Sequence, residues 1–333
     1  MRVTLNSTLR TYSANLQARR QEFDSINNRI GTGRDINKPS DNPGLIGEIK
    51  RLQSNIARND VLRKNVEDGL TDTQIIEAEL RNFESTMLAA RDVATEAANP
   101  IHADKMDVLA DKFLGMINDM IEIANYEFDG RLAFSGTLTT RESISAAAPA
   151  SNNLPFELVE DPALVSTDNP LGLRVMFKGN FDERRIATGT NATERINSLA
   201  SDAFGAGGVE AFDNLIRAYN IMAYTESGSL RTATDEFTEG ERNQLQDAIR
   251  EISNSIDAVN SEIGRLGGVV NRMEAIENRL TFENTRLNEL RSLREDTDLI
   301  EAAIELRKEE NALNATLSIG QTIFQPSLLD FLG

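Results

Sequence analysis

The sequence predicts a mainly α-helical fold: a long antiparallel coiled-coil rod formed by the N- and C-terminal segments, with a small β-containing middle domain inserted. Three observations predict it. Near both ends of the 333-residue chain, apolar residues recur in alternating steps of three and four, the spacing of a helical seam. Four of the eight prolines, Pro149, Pro155, Pro162 and Pro170, crowd the middle, where they exclude helix. Aromatics are only 5% of the residues and Trp is absent, so aliphatic side chains on long helices are expected to fill the core.

The first helix occupies about the first 30 residues. Leu9, Leu16, Phe23 and Ile30 fall seven apart, and Leu5, Tyr12 and Ile26 form the companion row, interrupted by Arg19. Thr32, Gly33 and Pro39 stop it, since Gly suits a C-terminal cap and Pro cannot continue a helix. Asn42-Pro43 then supplies an N-cap and a first-turn proline for a second helix over about 43–98. Its seam is Ile76, Leu80, Phe83, Met87, Ala90, Ala94 and Ala97, and Asn99-Pro100 ends it. A third helix, over about 103–125, places Met106, Leu109, Phe113, Met116, Met120 and Ile123 in the same rhythm. Its methionines read as core filler.

From about residue 131 the rhythm breaks. Phe156–Val159 and Leu173–Phe177 read as strands bounded by turn residues. A helix over about 209–226 closes the insertion, with Val209, Phe212, Ile216, Tyr219 and Ala223 on one side. Thr238 and Glu241 then have capping-box spacing. Ile252, Val259, Leu266, Met273, Leu280 and Leu287 are each seven apart, and Ile256, Ile263 and Val270 supply a second row that fails at Glu277 and Asn284. At 1.5 Å per residue a helix over 241–287 is roughly 70 Å long, the dimension of a rod. After Glu295-Asp296-Thr297-Asp298 a last helix carries Leu299, Ala303, Leu306, Leu313, Leu317 and Phe324, and stops at Pro326.

The expected domains are 1–40 with 296–333 (terminal coiled coil), 41–130 with 238–295 (helical rod) and 131–237 (middle α+β domain). A narrow apolar stripe cannot bury itself, so each terminal helix needs a partner. The economical pairing is one end with the other. Residues 1–40 carry a net charge of +4 and residues 295–310 a net charge of −5, which favours docking in one register.

Composition narrows the chemistry. The net charge of −18, from 35 Lys+Arg against 53 Asp+Glu, argues against a nucleic-acid binder. With no Cys there is no disulfide, thiolate nucleophile or Cys-based metal site. The single His, His102, opens a helix and reads as a surface or capping residue. Glu295/Asp296/Asp298 and Glu305/Glu309/Glu310 read as solvated faces, since no calcium-loop spacing accompanies them. Gly205, Gly207 and Gly208 read as a flexible turn, and no phosphate-binding glycine loop is found. Asn6-Ser7-Thr8, Asn191-Ala192-Thr193 and Asn314-Ala315-Thr316 match the glycosylation sequon. They carry no weight, because Met1–Ser7 lacks the features of a secretory signal. No run of about 18 apolar residues predicts a membrane span. Neither catalytic residues nor a cofactor or metal site is expected.

Arg29-Ile30-Gly31-Thr32-Gly33-Arg34-Asp35-Ile36-Asn37-Lys38-Pro39-Ser40-Asp41-Asn42-Pro43 resembles the N-terminal signature of the bacterial flagellin family. Glu295 to Phe331 resembles the C-terminal signature of the same family, through Asp296-Thr297-Asp298-Leu299-Ile300-Glu301-Ala302-Ala303 and Asn311-Ala312-Leu313-Asn314-Ala315-Thr316-Leu317. Asp129-Gly130-Arg131-Leu132-Ala133-Phe134-Ser135-Gly136-Thr137 and the ending Gln325-Pro326-Ser327-Leu328-Leu329-Asp330-Phe331-Leu332 are similar to the hook–filament junction members rather than to the filament subunit. Leu132-Ala133 departs from the usual aromatic–aliphatic pair there, and residues 137–230 match only loosely.

The resemblance implies a non-enzymatic junction subunit of the flagellum, connecting hook to filament by helical subunit packing. It implies an outward-facing middle domain, export without a cleaved signal peptide through the type III apparatus, and an extracellular address at the hook–filament junction. The implied partners are further copies in a ring or helical oligomer, hook-associated protein 1, flagellin, and the flagellar export chaperone and export apparatus. The expected assembly residues are Leu5, Leu9, Tyr12, Leu16, Phe23, Ile30, Leu299, Leu306, Leu313, Leu317, Phe324, Leu328 and Leu329. The alternative is a filament-forming flagellin with a small middle domain. An intracellular coiled-coil scaffold and an enzyme carried in the insertion are the other classes, and no convergent polar site is legible between 131 and 230.

Overall fold

The computed structural model describes residues 2–99, 101, 105–147, 152–232 and 234–324, with side-chain surroundings within 7–321. Along the chain come α1 (Arg2–Thr32), α2 (Pro43–Ala97), α3 (Met106–Ala124), β1 (Glu127–Phe128), β2 (Arg131–Leu132), α4 (Arg141–Ala147), β3 (Phe156–Glu160), β4 (Leu173–Phe177), β5 (Arg185–Ala187), β6 (Thr193–Arg195), α5 (Ala200–Phe204), α6 (Glu210–Ala223), α7 (Glu239–Glu295) and α8 (Leu299–Phe324). The strands form three antiparallel two-stranded ladders, β1–β2, β3–β4 and β5–β6. The fold class is the mainly α one with a small β-containing region. No described helix is long and apolar enough to cross a membrane.

The helix ends follow local chemistry. Gly33, at φ +69°, takes the chain out of α1, a conformation that costs a glycine nothing. Asn42 Oδ1 accepts from the Leu45 N–H at 3.2 Å, with Pro43 opening α2. The capping box at α7 is formed: Glu241 N–H donates to Thr238 Oγ1 at 3.1 Å, and Thr238 N–H donates to Glu241 Oε2 at 2.8 Å. Asp298 Oδ1 accepts from the N–H groups of Ile300 and Glu301 at 2.8 and 3.2 Å, starting α8. α7 runs on to Glu295, beyond the 287 at which its heptads end. Asn284 stays in the packed face by donating to Asp60 Oδ1 at 2.7 Å.

Contacts divide the chain into two compact units, residues 1–60 with 281–333 and residues 61–280. In the second, every residue of the expected α2 seam is buried, as are Ile252, Ile256, Val259, Ile263, Leu266, Met273 and Leu280 of α7. Two predicted rows drift. On α3, Ile117 and Ile121 are buried while Met116 and Ile123 are half-buried, and on α7 Val269 is buried instead of Val270. A straight helix turns every 3.6 residues, so a strict seven-residue row slides off its face by about 20° per heptad.

The core is more aromatic than its composition suggests. Phe83, Phe134, Phe156, Phe204 and Phe212 are fully buried. Phe83, Phe156 and Phe212 each lie 4.7–5.4 Å from the Phe204 ring centre. Few rings are present, but they gather where α2, α5, α6 and β3 meet. There, broad faces fill a junction that thin aliphatic seams would leave open.

Candidate assembly interface

The terminal helices α1 and α8 pack on each other in the unit formed by residues 1–60 and 281–333. Their contacts run in opposite senses. Gly320 lies against Tyr12, Glu309 against Arg19 and Glu305 against Arg29, so the pair is antiparallel. On α1 Ile26 is buried, and Leu9, Tyr12, Leu16, Phe23 and Ile30 are half-buried. On α8 the covered face is Ala302, Leu306, Glu309, Leu313, Thr316 and Gly320.

Arg19, the apparent flaw in the α1 seam, donates to both carboxylate oxygens of Glu309, at 3.0 and 3.1 Å. Glu309 is buried, and a buried carboxylate is tolerated only when paired. The interruption is therefore a paired polar layer. Arg29 donates to Glu305 at 3.1 Å, and Arg34 reaches the buried Glu295 at 2.9 Å. These contacts realise the charge complement between the two ends.

The two stretches that carried the family resemblance are joined to each other. Asp35 N–H donates to Glu295 O at 2.7 Å, and Thr297 N–H to Gly33 O at 3.0 Å. Arg34 and Asp296 form an antiparallel bridge between them. Asp41 Oδ2 then accepts from the N–H groups of Asn37 and Lys38 at 3.0 and 2.7 Å. The donors at Lys38 and Asn37 hold its carboxyl below the ordinary 3.8. Asn37 Nδ2 returns to Arg34 O at 2.9 Å, and Ile36 is buried beneath the loop. The polar residues of this stretch shape a tight corner between α1 and α2.

The sequence reading and the structure differ on part of α8. Leu299, Ala303 and Leu317 are exposed and stand outside the α1-facing row. At 100° per residue, Leu299 and Leu317 lie about 60° to one side of Ala302. Ile300 and Ile304, which belong to no row expected from the sequence, are 76% and 65% exposed. They fall on the face opposite Ala302. Their spacing of four was the available signal. Leu290 and Leu293 on α7, and Ile319 on α8, are exposed as well. The side chains of Leu5 and Phe324, together with Leu328, Leu329 and His102, lie outside the described residues.

The segment Asp129–Thr137 lies in the other unit and is structural there. Asp129 and Gly130 turn the β1–β2 hairpin at φ +50° and +70°. Arg131 grips the buried Asp72 of α2 at 2.9 and 3.1 Å. Gly136, at φ +72°, lies so close to Asn180 that a Cβ there would overlap its backbone carbonyl. Asn180 in turn accepts from Thr137 N–H at 2.8 Å and donates to Thr137 Oγ1 at 2.7 Å. Among the described residues, no three His, Asp or Glu side chains converge to hold a metal ion.

Residues 3–139 match the family model described as the bacterial flagellin N-terminal helical region. Solved structures share the fold. A Vibrio parahaemolyticus protein described as flagellar hook-associated aligns at 14% identity and TM-score 0.58, over 77% of this chain and 99% of that one. Flagellar hook-associated protein 3 of Legionella pneumophila aligns at 13% identity and TM-score 0.55, over 74% and 99%. The flagellar junction protein FlgL of Legionella pneumophila aligns at 13% identity and TM-score 0.52, over 76% and 100%. No curated protein matches the chain by sequence. The resemblance read from the N-terminal signature thus has its counterpart in a flagellin-type helical region.

Proposed function

We propose that this chain is a structural adaptor subunit of the bacterial flagellum that connects hook to filament by packing against further copies of itself, without enzymatic activity. The observation that carries this is α8. One face is covered by α1, while Ile300 and Ile304 on the opposite face stay in solvent. A helix apolar on two faces has a second partner to find. A contact between that back face and a different surface of the next copy is heterologous, so it propagates into a ring or helix.

The junction reading is preferred to a filament subunit because the Legionella relatives, aligned over nearly their whole length, are described as hook-associated and junction proteins. On this reading the chain sits outside the cell, with hook-associated protein 1 on one side and flagellin on the other. The flagellar export chaperone and export apparatus act before assembly. Without Cys, no disulfide fixes the chain before it is threaded outward. Residues 1–40 with 296–333 form the inner part, 41–130 with 238–295 the helical shaft, and 131–237 the outward domain. Immunogold labelling in the source bacterium tests the address. Gold confined to the hook–filament boundary is expected. Gold along the filament would favour the filament subunit, and gold inside the cell would overturn the reading.

A further inference from the structure

We propose that the open edge of β3 receives an extended, basic peptide segment of another polypeptide as an added strand. Among the described residues β3 pairs only with β4, in the register Phe156↔Phe177 to Glu160↔Leu173. Lys178 N–H donates to Pro155 O, and Asp161 N–H to Gly172 O, each at 2.8 Å. These bonds flank the first and last pairs, so both are non-hydrogen-bonded pairs of the antiparallel ladder. The backbone N–H and C=O of Phe156, Leu158 and Glu160 therefore point away from β4.

At Phe156 those groups are already occupied. Its N–H donates to Asn125 Oδ1 at 2.8 Å, and Asn125 Nδ2 donates to its C=O at 2.8 Å. A carboxamide offers the same donor and acceptor as a peptide unit, so Asn125 stands where the first residue of a neighbouring strand would stand. The far corner of the ladder is finished the same way. Leu173 N–H donates to Asn169 Oδ1 at 2.9 Å, and Asn169 Nδ2 to Leu173 O at 3.0 Å. There β4 lies against α6. On β3 the two remaining outward positions, Leu158 and Glu160, have no hydrogen-bond partner on that side among the described residues. A cleft of about 600 Å³ runs alongside, walled by Asn118, Ile121, Glu122, Asn125 and Leu154.

Two features select the occupant. The open groups repeat every second residue, the spacing of a strand, whereas a helix uses its own N–H and C=O groups internally. The charges select a basic segment. Glu127 is taken by Arg141 at 2.7 Å, and Glu157 by Lys178. Glu122 on the cleft wall and Glu160 at the strand's end have no ion pair among the described residues. A second copy of this chain, at a net charge of −18, is the poorer electrostatic match. Strand addition of this kind draws affinity from main-chain bonds and specificity from side-chain charge.

The test titrates the full-length, 15N-labelled protein with acetyl-Val-Lys-Val-Lys-Val-amide and, in parallel, with acetyl-Val-Glu-Val-Glu-Val-amide. The Lys peptide is expected to shift the amide resonances of Leu158 and Glu160 and to slow their exchange, and the Glu peptide to bind at least about tenfold more weakly. Glu122→Gln combined with Glu160→Gln, both at exposed positions, is expected to weaken the Lys peptide about fivefold while leaving the helical circular dichroism unchanged. Unshifted Leu158 and Glu160 amides, equal affinity for the two peptides, or self-association through β3 without peptide would overturn the proposal.

Discussion

Glu241 serves two partners at once. Its carboxylate caps α7 through Thr238 N–H and also meets the Arg231 guanidinium. That guanidinium is fully buried and donates to Tyr224 O and Glu236 O, each at 3.0 Å. Losing the cap alone, as in Thr238→Ala, is expected to cost about 1 kcal/mol. Glu241→Ala also strands a buried charge and is expected to cost about 3–5 kcal/mol. Urea denaturation of the two variants separates these roles, because equal losses would mean that the ion pair adds nothing. Asp41 provides a pH test at the same scale. Its folded pKa lies below the ordinary 3.8, so its contribution to the corner is complete above 3.8 and is lost as the pH falls through the folded value. The Asn37 and Lys38 amide shifts should titrate together with a midpoint below 3.8, and Asp41→Ala should abolish both titrations.

The α1–α8 pair is thin for its length. Ala302 is fully covered by it, so Ala302→Leu should overpack the contact at a cost of about 1–3 kcal/mol. Far-ultraviolet circular dichroism is expected to show the added helix loss at lower temperature than the main transition. Retained melting would mean that the contact is slack enough to absorb the side chain. Much of this architecture was legible in the sequence. The α2 seam, the β3 and β4 strands, the Thr238–Glu241 cap and the opposite charges of the two ends all rest on local spacing, which a single sequence carries. The hairpins β1–β2 and β5–β6, and the short α4 and α5, left no such pattern, because two- to seven-residue elements are fixed by tertiary partners such as Asp72 and Asn180. Arg19 and Asn284 looked like seam failures because their answering groups, Glu309 and Asp60, lie more than 200 residues away. Leu299 and Leu317 fall beside the α1-facing row because a straight helix does not follow a strict heptad.

At the scale of the whole molecule, burial is uneven. Ile26 is the one buried apolar side chain among the described residues of α1, whereas α2 and α3 bury continuous rows. Segments with little buried surface open at low free energy. Backbone amides of α1 and α8 are therefore expected to exchange faster than those of α3 and the 76–97 stretch of α2 in the free protein, and equal protection throughout would contradict this. The same sparse burial shapes the test of assembly. Leu313→Asp strikes the α1–α8 contact inside the free chain, so a loss of motility there would not distinguish misfolding from failed assembly. Ile300 and Ile304 make a cleaner pair. At 76% and 65% exposure they contribute little to the isolated chain, while burying one such side chain between copies stabilises assembly by roughly 1.5–3 kcal/mol. The double variant Ile300→Asp, Ile304→Asp should keep wild-type circular dichroism and thermal midpoint, yet leave cells without attached filaments under electron microscopy. Normal filaments and normal swimming would mean that the back of α8 is not where copies meet.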